Sequence, residues 1–182
     1  MRLVFISILI FFFLISKAYS DLTQKILNNL ENSYNYNFNF IQKINEKKET
    51  GKCILAFDRK INCKYDKSGK ILISDGKNLI IKNNNSNIPS YYKLENTSFY
   101  KLLDKKYLIN ELKSKDIKKK NGKIFINLNY QKIDIKVFFD ENKLYLKGWQ
   151  TTDMYNNSVF TEIKIQEVNK NIDKNLFDIN YN

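Results

Sequence analysis

Few groups in this chain could do chemistry, and each stands out by type. Histidine is absent from all 182 residues. That removes the commonest general base at neutral pH, the usual hydrolytic triads and most zinc sites. No glycine-rich phosphate loop and no nucleophile elbow occurs. The carboxylates are scattered. Among 31 basic residues only Arg2 and Arg59 are arginine. Lysine supplies a point charge, whereas the guanidinium supplies a planar fork of five donors that holds several acceptors at once. A chain that uses lysine almost everywhere points to a need for the fork at Arg59. Two cysteines, Cys53 and Cys63, offer either a disulfide or two buried thiols. An enzyme is not expected, nor is a cofactor or a metal.

The third feature is a run of rings. The stretch YNYNFNF places Tyr34, Tyr36, Phe38 and Phe40 at every second position with asparagine between. Period-2 alternation describes a half-buried strand with one aromatic face. The segment GKCILAFDRKINCKYD reads as a hairpin turning near Asp58. In that register Leu55 faces Ile61 and Cys53 faces Cys63, close enough for a disulfide if the compartment is oxidising. Phe57 and Tyr65 share the parity of this face. Asp75-Gly76 between apolar runs predicts a type I′ two-residue turn. The polar stretch Asn83 to Ser90, holding Pro89, reads as a loop.

Other segments have helical spacing. Asp21 caps a short helix to Leu30 with Leu22, Ile26, Leu27 and Leu30 on one stripe. SFYKLLDKKYLINELKSK repeats the pattern through Phe99, Leu102, Leu103, Tyr107, Leu108 and Leu112, as one helix or two broken near Asp104. Further strands follow, with a turn at Asn121-Gly122 and another near Asn156-Asn157. Leu144 and Leu146 share one parity, and Trp149 lies on the other, so its side is left open. The order is helix, about four strands, a helical insert, then five or six strands. A single antiparallel sheet this long must curl, with the helices covering one face. The fold class is α+β, with about 10–11 strands.

The first twenty residues read as a cleavable secretory signal: Arg2, an apolar run from Leu3 to Ile15, then Ala18-Tyr19-Ser20. No cysteine near Ser20 offers a lipid attachment site. Residues 21–182 then form one soluble, exported domain, which the resemblance below places in the periplasm. The formal net charge of +12 points to an anionic partner or to a solvated lysine surface.

At this point the chain resembles the LolA family of periplasmic lipoprotein carriers. The matching stretches are FNFIQKI, ETGKCILAFDRKINCKY, ILISDGKNLIIKN, FFDENKLYLKGWQTTDMYNNS and LFDI, in family order. SDGK followed by a strand, and FDENKLYLKGWQTTD, are the more specific parts. The resemblance implies an unclosed antiparallel β-barrel with a lid of short helices over an apolar cavity for lipoprotein acyl chains. It implies a monomer that is loaded by the inner-membrane lipoprotein-releasing ABC transporter and unloaded at the outer membrane, in many bacteria to a LolB-like receptor.

The same resemblance assigns Arg59 the role of locking the lid by bonding its backbone carbonyls. It makes Tyr34, Tyr36, Phe38, Phe40, Leu55, Phe57, Ile61, Cys63, Tyr65, Leu144 and Leu146 the cavity lining. Leu22, Ile26, Phe99, Leu102 and Leu103 would then belong to the lid. Three departures stand out. Cys63 replaces a usually bulky residue, Lys60 follows the arginine where proline is usual, and Thr97-Ser98 stands at the helix start in place of Thr-Pro. Two rival readings remain: a carrier of another lipid on the same fold, and a secreted cationic binder of nucleic acid or polysaccharide with exposed stacking rings. The alternation, which buries the rings, favours the carriers, so no nucleic-acid partner is expected.

Overall fold

A computed structural model describes residues 21–57, 59–83, 86–153 and 157–179. The expected signal sequence, Asp58 and Asn156 lie outside them. A helix, α1, covers residues 21–31. Six strands follow: β1 (Asn35–Ile44), β2 (Lys47–Ala56), β3 (Lys60–Tyr65), β4 (Ile71–Asp75), β5 (Asn78–Asn83) and β6 (Ser86–Lys93). A 3₁₀ turn at Leu94–Asn96 leads to α2 (Phe99–Leu102) and α3 (Lys105–Ser114). The chain then forms β7 (Lys118–Lys120), β8 (Lys123–Tyr130), β9 (Ile133–Phe139), β10 (Leu146–Thr152) and β11 (Ser158–Val168), and a last 3₁₀ turn at Lys174–Phe177.

All eleven strands form one antiparallel sheet in the order β6-β5-β4-β3-β2-β1-β11-β10-β9-β8-β7. It is two meanders zipped together by β1 and β11, with Phe38 opposite Ile165 and Phe40 opposite Ile163. The sheet does not close, and β6 and β7 are its free edges. The helical insert connects those two edges. A chain leaving β6 for β7 must cross the face between them, so the insert covers that face.

The register of β2 and β3 pairs Cys53 with Cys63 and Leu55 with Ile61, as the hairpin reading expects. Three expectations need correcting. The polar stretch around Pro89 is not a loop throughout, because β6 runs through it. An edge strand tolerates proline, since its missing N–H faces no neighbour. The β4–β5 turn is not Asp75-Gly76 in type I′. Ser74 pairs with Leu79, so the two-residue loop is Gly76-Lys77, and the left-handed backbone is at Gly76 alone (φ 98°). Asp75 instead ends β4 and accepts from the Lys77 and Asn78 N–H groups at 2.7 Å each.

The third correction concerns Tyr34. It precedes β1 and is 70% exposed, so the alternation extends one residue too far toward the N-terminus. Its backbone carbonyl accepts from the Phe57 N–H, and its N–H donates to Asn169 Oδ1, which fixes the turn out of α1.

Candidate functional site

The covered face is built by alternate residues. β1 contributes Tyr36, Phe38 and Phe40; β2 contributes Cys53 and Leu55; β3 contributes Ile61, Cys63 and Tyr65, all buried. Phe57, just past β2, and Leu144, before β10, are buried there too. The rings meet edge to face: Tyr36 with Phe57 at 5.3 Å, Phe40 with Tyr65 at 4.9 Å, Phe38 with Trp149 at 6.4 Å. Burial pushes the Tyr36 phenol up to about 12, against the hydrogen bond with Ser33 that lowers it. Cys53 and Cys63 are joined by a disulfide on this face.

Trp149 belongs to this face as well as Leu146, although the two differ in parity. The pairing of β10 with β9 shifts between Leu146 and Gly148, and Gly148 has φ 154°, a conformation a side chain would strain. The bulge re-aims the strand by one residue. Trp149 thereby reaches both Phe38 on the sheet and Phe99 on the insert, the latter at 6.5 Å.

The helices lie over these rings. Ile26, Leu27 and Leu30 of α1, Leu102 and Leu103, and Leu108 and Leu112 of α3 are buried against them, while Leu22 and Phe99 are partly buried. The insert is two helices, broken at Asp104. The first helix starts at Thr97-Ser98 as expected, with Ser98 at the cap position, but the Ser98 side chain makes no capping bond. Asp104 is the residue that caps, with Oδ1 accepting from the Tyr107 N–H at 3.0 Å.

The other oxygen of Asp104 meets Arg59. The guanidinium donates from Nε at 3.2 Å and from Nη2 at 2.6 Å, both to Oδ2. Its plane lies over the Tyr100 ring, with Cζ 4.5 Å from the centroid. Arg59 has φ 62° at the end of the β2–β3 hairpin, and its carbonyl accepts from Ser74 Oγ. The fork therefore holds a lid carboxylate and a lid ring, contacts that the resemblance, which implies lid carbonyls, does not name. Burial raises the Asp104 pKa, but hydrogen bonds from Arg59 and the Tyr107 N–H, with the charges of Arg59 and Lys101, more than offset it. The carboxyl sits below its ordinary value of 3.8.

A lysine holds backbone carbonyls of the lid. Lys105 Nζ donates to the carbonyls of Glu31 and Ser33 at 2.6 and 2.9 Å, tying α3 to the end of α1. Lys113 pairs with Glu31 at 3.4 Å. On the other side Lys101 lies near the rings of Tyr100, Tyr107 and Tyr130, at 5.4, 4.5 and 5.0 Å. These contacts were missed because no local pattern marks a lysine that bonds a distant carbonyl. The break in helical spacing at Asp104 was the one available signal.

The space beneath the lid is nearly filled. Among the described residues, small voids of about 10 Å³ lie there, one beside Tyr36, Phe57, Leu144 and Leu146, another beside Phe38, Phe40, Ile61 and Cys63. One of the larger openings is a groove of about 730 Å³ between the end of the insert and the two meanders, within the usual range for ligand sites; another, of about 1000 Å³, lies by α1, α3 and β7. Leu72, Leu79, Ile81, Phe99, Ile133 and Trp149 give it an apolar floor. Of the residues expected to line a cavity, Tyr65 alone borders this groove. Among the described residues no cluster of histidine, cysteine, aspartate or glutamate could hold a metal ion, and no helix is long and apolar enough to cross a membrane.

A half-barrel of one sheet, closed over by helices that span its free edges, defines a class of lidded binding proteins. The sequence profile of the family described as Outer membrane lipoprotein carrier protein LolA matches residues 31–180. The chain belongs to that family. Among solved structures it is similar to a LolA superfamily protein from Nitrosomonas europaea, at 8% identity and TM-score 0.47, covering 90% of this chain and 98% of that one. It is also similar to the lipoprotein LppX from Mycobacterium tuberculosis, at 12% identity and TM-score 0.46, covering 86% and 98%. No curated protein matches the sequence.

Proposed function

We propose that this chain is a periplasmic carrier that shelters the acyl chains of lipoproteins. It takes them from an inner-membrane lipoprotein-releasing ABC transporter and delivers them to the outer membrane, in cells that have one to a LolB-like receptor. It acts as a monomer after removal of its signal sequence. Family membership supports the reading, and the latched lid over an apolar face carries it. A sixteen-carbon chain costs on the order of 10 kcal/mol to expose to water, at about 0.8 kcal/mol per methylene. A soluble carrier must replace that water with apolar wall.

The covered face supplies such a wall, but voids of about 10 Å³ admit no acyl chain. Loading therefore requires the helices to lift. Arg59 and Asp104 bias the empty protein toward the closed state. With the Arg59 side chain 37% exposed, the pair and its stacked tyrosine are worth about 1–2 kcal/mol together. A bias of that size permits both loading and release, whereas a much larger one would block entry. The rival cationic binder needs a face of exposed rings; Tyr36, Phe38, Phe40 and Tyr65 are buried, and the exposed Tyr34, Tyr91 and Tyr92 do not belong to one alternating run.

The test is titration with a fluorescent fatty acid, wild type beside Arg59→Leu, at low and high salt. Saturable binding that persists in high salt, and that tightens roughly fivefold to tenfold in Arg59→Leu, supports a latched lipid cavity. No binding by either protein overturns the carrier reading.

A further inference from the structure

We infer that the groove between the end of the insert and the two meanders is a head-group site, and that the lipid this chain carries best has an anionic head. The inference rests on the acyl-chain shelter proposed above and departs from that reading in the cargo, an anionic lipid in place of the uncharged glyceride anchor of a lipoprotein.

The first observation is a string of polar groups on an otherwise apolar face. The Tyr65 hydroxyl donates to Gln42 Oε1 at 3.3 Å, and Gln42 Nε2 donates to Thr161 Oγ1 at 3.2 Å. Thr161 is 2% exposed and Thr151, which borders the groove, is 7% exposed. Acyl chains gain nothing from an amide and hydroxyls beside them, since buried polar groups must be kept bonded. Ester and phosphate oxygens do gain. Polarity therefore rises from Phe38 and Leu55 outward to Gln42 and the groove. A lipid placed along that gradient has its tails under the lid and its head in the groove.

The second observation is charge. Lys70, Lys93 and Lys132 border the groove against one carboxylate, Asp153. The lysines come from three separate places: the approach to β4, the end of β6 and the β8–β9 turn. Lys70 is held in place by Glu49 at 2.8 Å and lies 3.7 Å over the Tyr65 ring. Neither Lys93 nor Lys132 pairs with a carboxylate among the described residues. A rim of net positive charge over an apolar floor favours an anionic amphiphile over a neutral or cationic one.

The groove contains its own reporter, because Trp149 is the only tryptophan and lines it. Trp149 fluorescence should be followed while the protein is titrated with lysophosphatidylglycerol, lysophosphatidylcholine and monoacylglycerol of equal chain length, and with glycerol phosphate. The anionic lysolipid should bind about tenfold more tightly than the others at low salt. Lys93→Gln with Lys132→Gln should weaken it about threefold per lysine removed, close to the full tenfold preference, and leave monoacylglycerol unchanged. Equal binding of all three lipids, untouched by the double variant, overturns the head-group inference and leaves the carrier standing. Glycerol phosphate binding as tightly as the lysolipid overturns it in favour of a free-anion site. Failure of every lipid overturns the carrier reading itself.

Discussion

Arg59 is the residue on which composition and geometry meet. It stood out because lysine is used almost everywhere else, and the structure places its fork on Asp104 and Tyr100. Its partner was invisible, because Asp104 lies 45 positions away and carboxylates are scattered. Asp104→Asn isolates the latch, since asparagine still caps α3. Urea unfolding should show a loss of about 1–2 kcal/mol for Asp104→Asn and for Arg59→Leu alone, and clearly less than the sum in the double variant. Additive losses would mean that the pair does not act as a unit. The pH dependence has a definite sign. A carboxyl depressed on folding contributes fully above its unfolded value near 3.8, and the contribution fades as pH falls through the lower folded value. The stability gap between wild type and Asp104→Asn should therefore hold at pH 5 and above and shrink below about pH 3.8.

At the scale of elements, the disulfide and the bulge fix the covered face. Cys53 and Cys63 bridge β2 and β3 over a separation of ten residues. Replacing both by serine should cost about 2–3 kcal/mol in denaturant unfolding, by the loop-entropy relation, and added reductant should lower wild type to the same level. This bond was legible because the β2–β3 register follows from parity and a single turn. Trp149 was not, because parity fails across a bulge that only Gly148 hinted at. Gly148→Ala meets the Thr161 carbonyl and needs a φ of 154°. It should lose about 2 kcal/mol or more and shift Trp149 emission to the red as the ring leaves Phe38 and Phe99. β6 was hidden for a different reason: a proline and a run of asparagines look the same on a sheet edge as in a loop.

For the whole molecule, the connection between the two free sheet edges is also the part that the proposed loading would move. A pair of spin labels, one on β2 and one on α3, should move apart on loading with fatty acid. An unchanged distance would mean that ligand stays in the groove and never enters beneath the helices. The overall plan was legible because long alternating runs imply one curled sheet, and a lone helical insert in such a sheet has only one face to cover. How tightly that face is filled was not, since packing between elements far apart in sequence leaves no periodic trace. The division of labour at Asp104 bears on the motion itself. One oxygen caps α3 and the other holds the barrel. Letting go of Arg59 leaves the cap in place, so α3 can swing away as an intact rod. No backbone has to lose and regain its helical order during each cycle, an entropy change of about 1–2 kcal/mol per residue that a melting lid would incur. In the proposed cycle the switch is thereby the hold of Arg59 on Asp104 and Tyr100, with the apolar contacts beneath them.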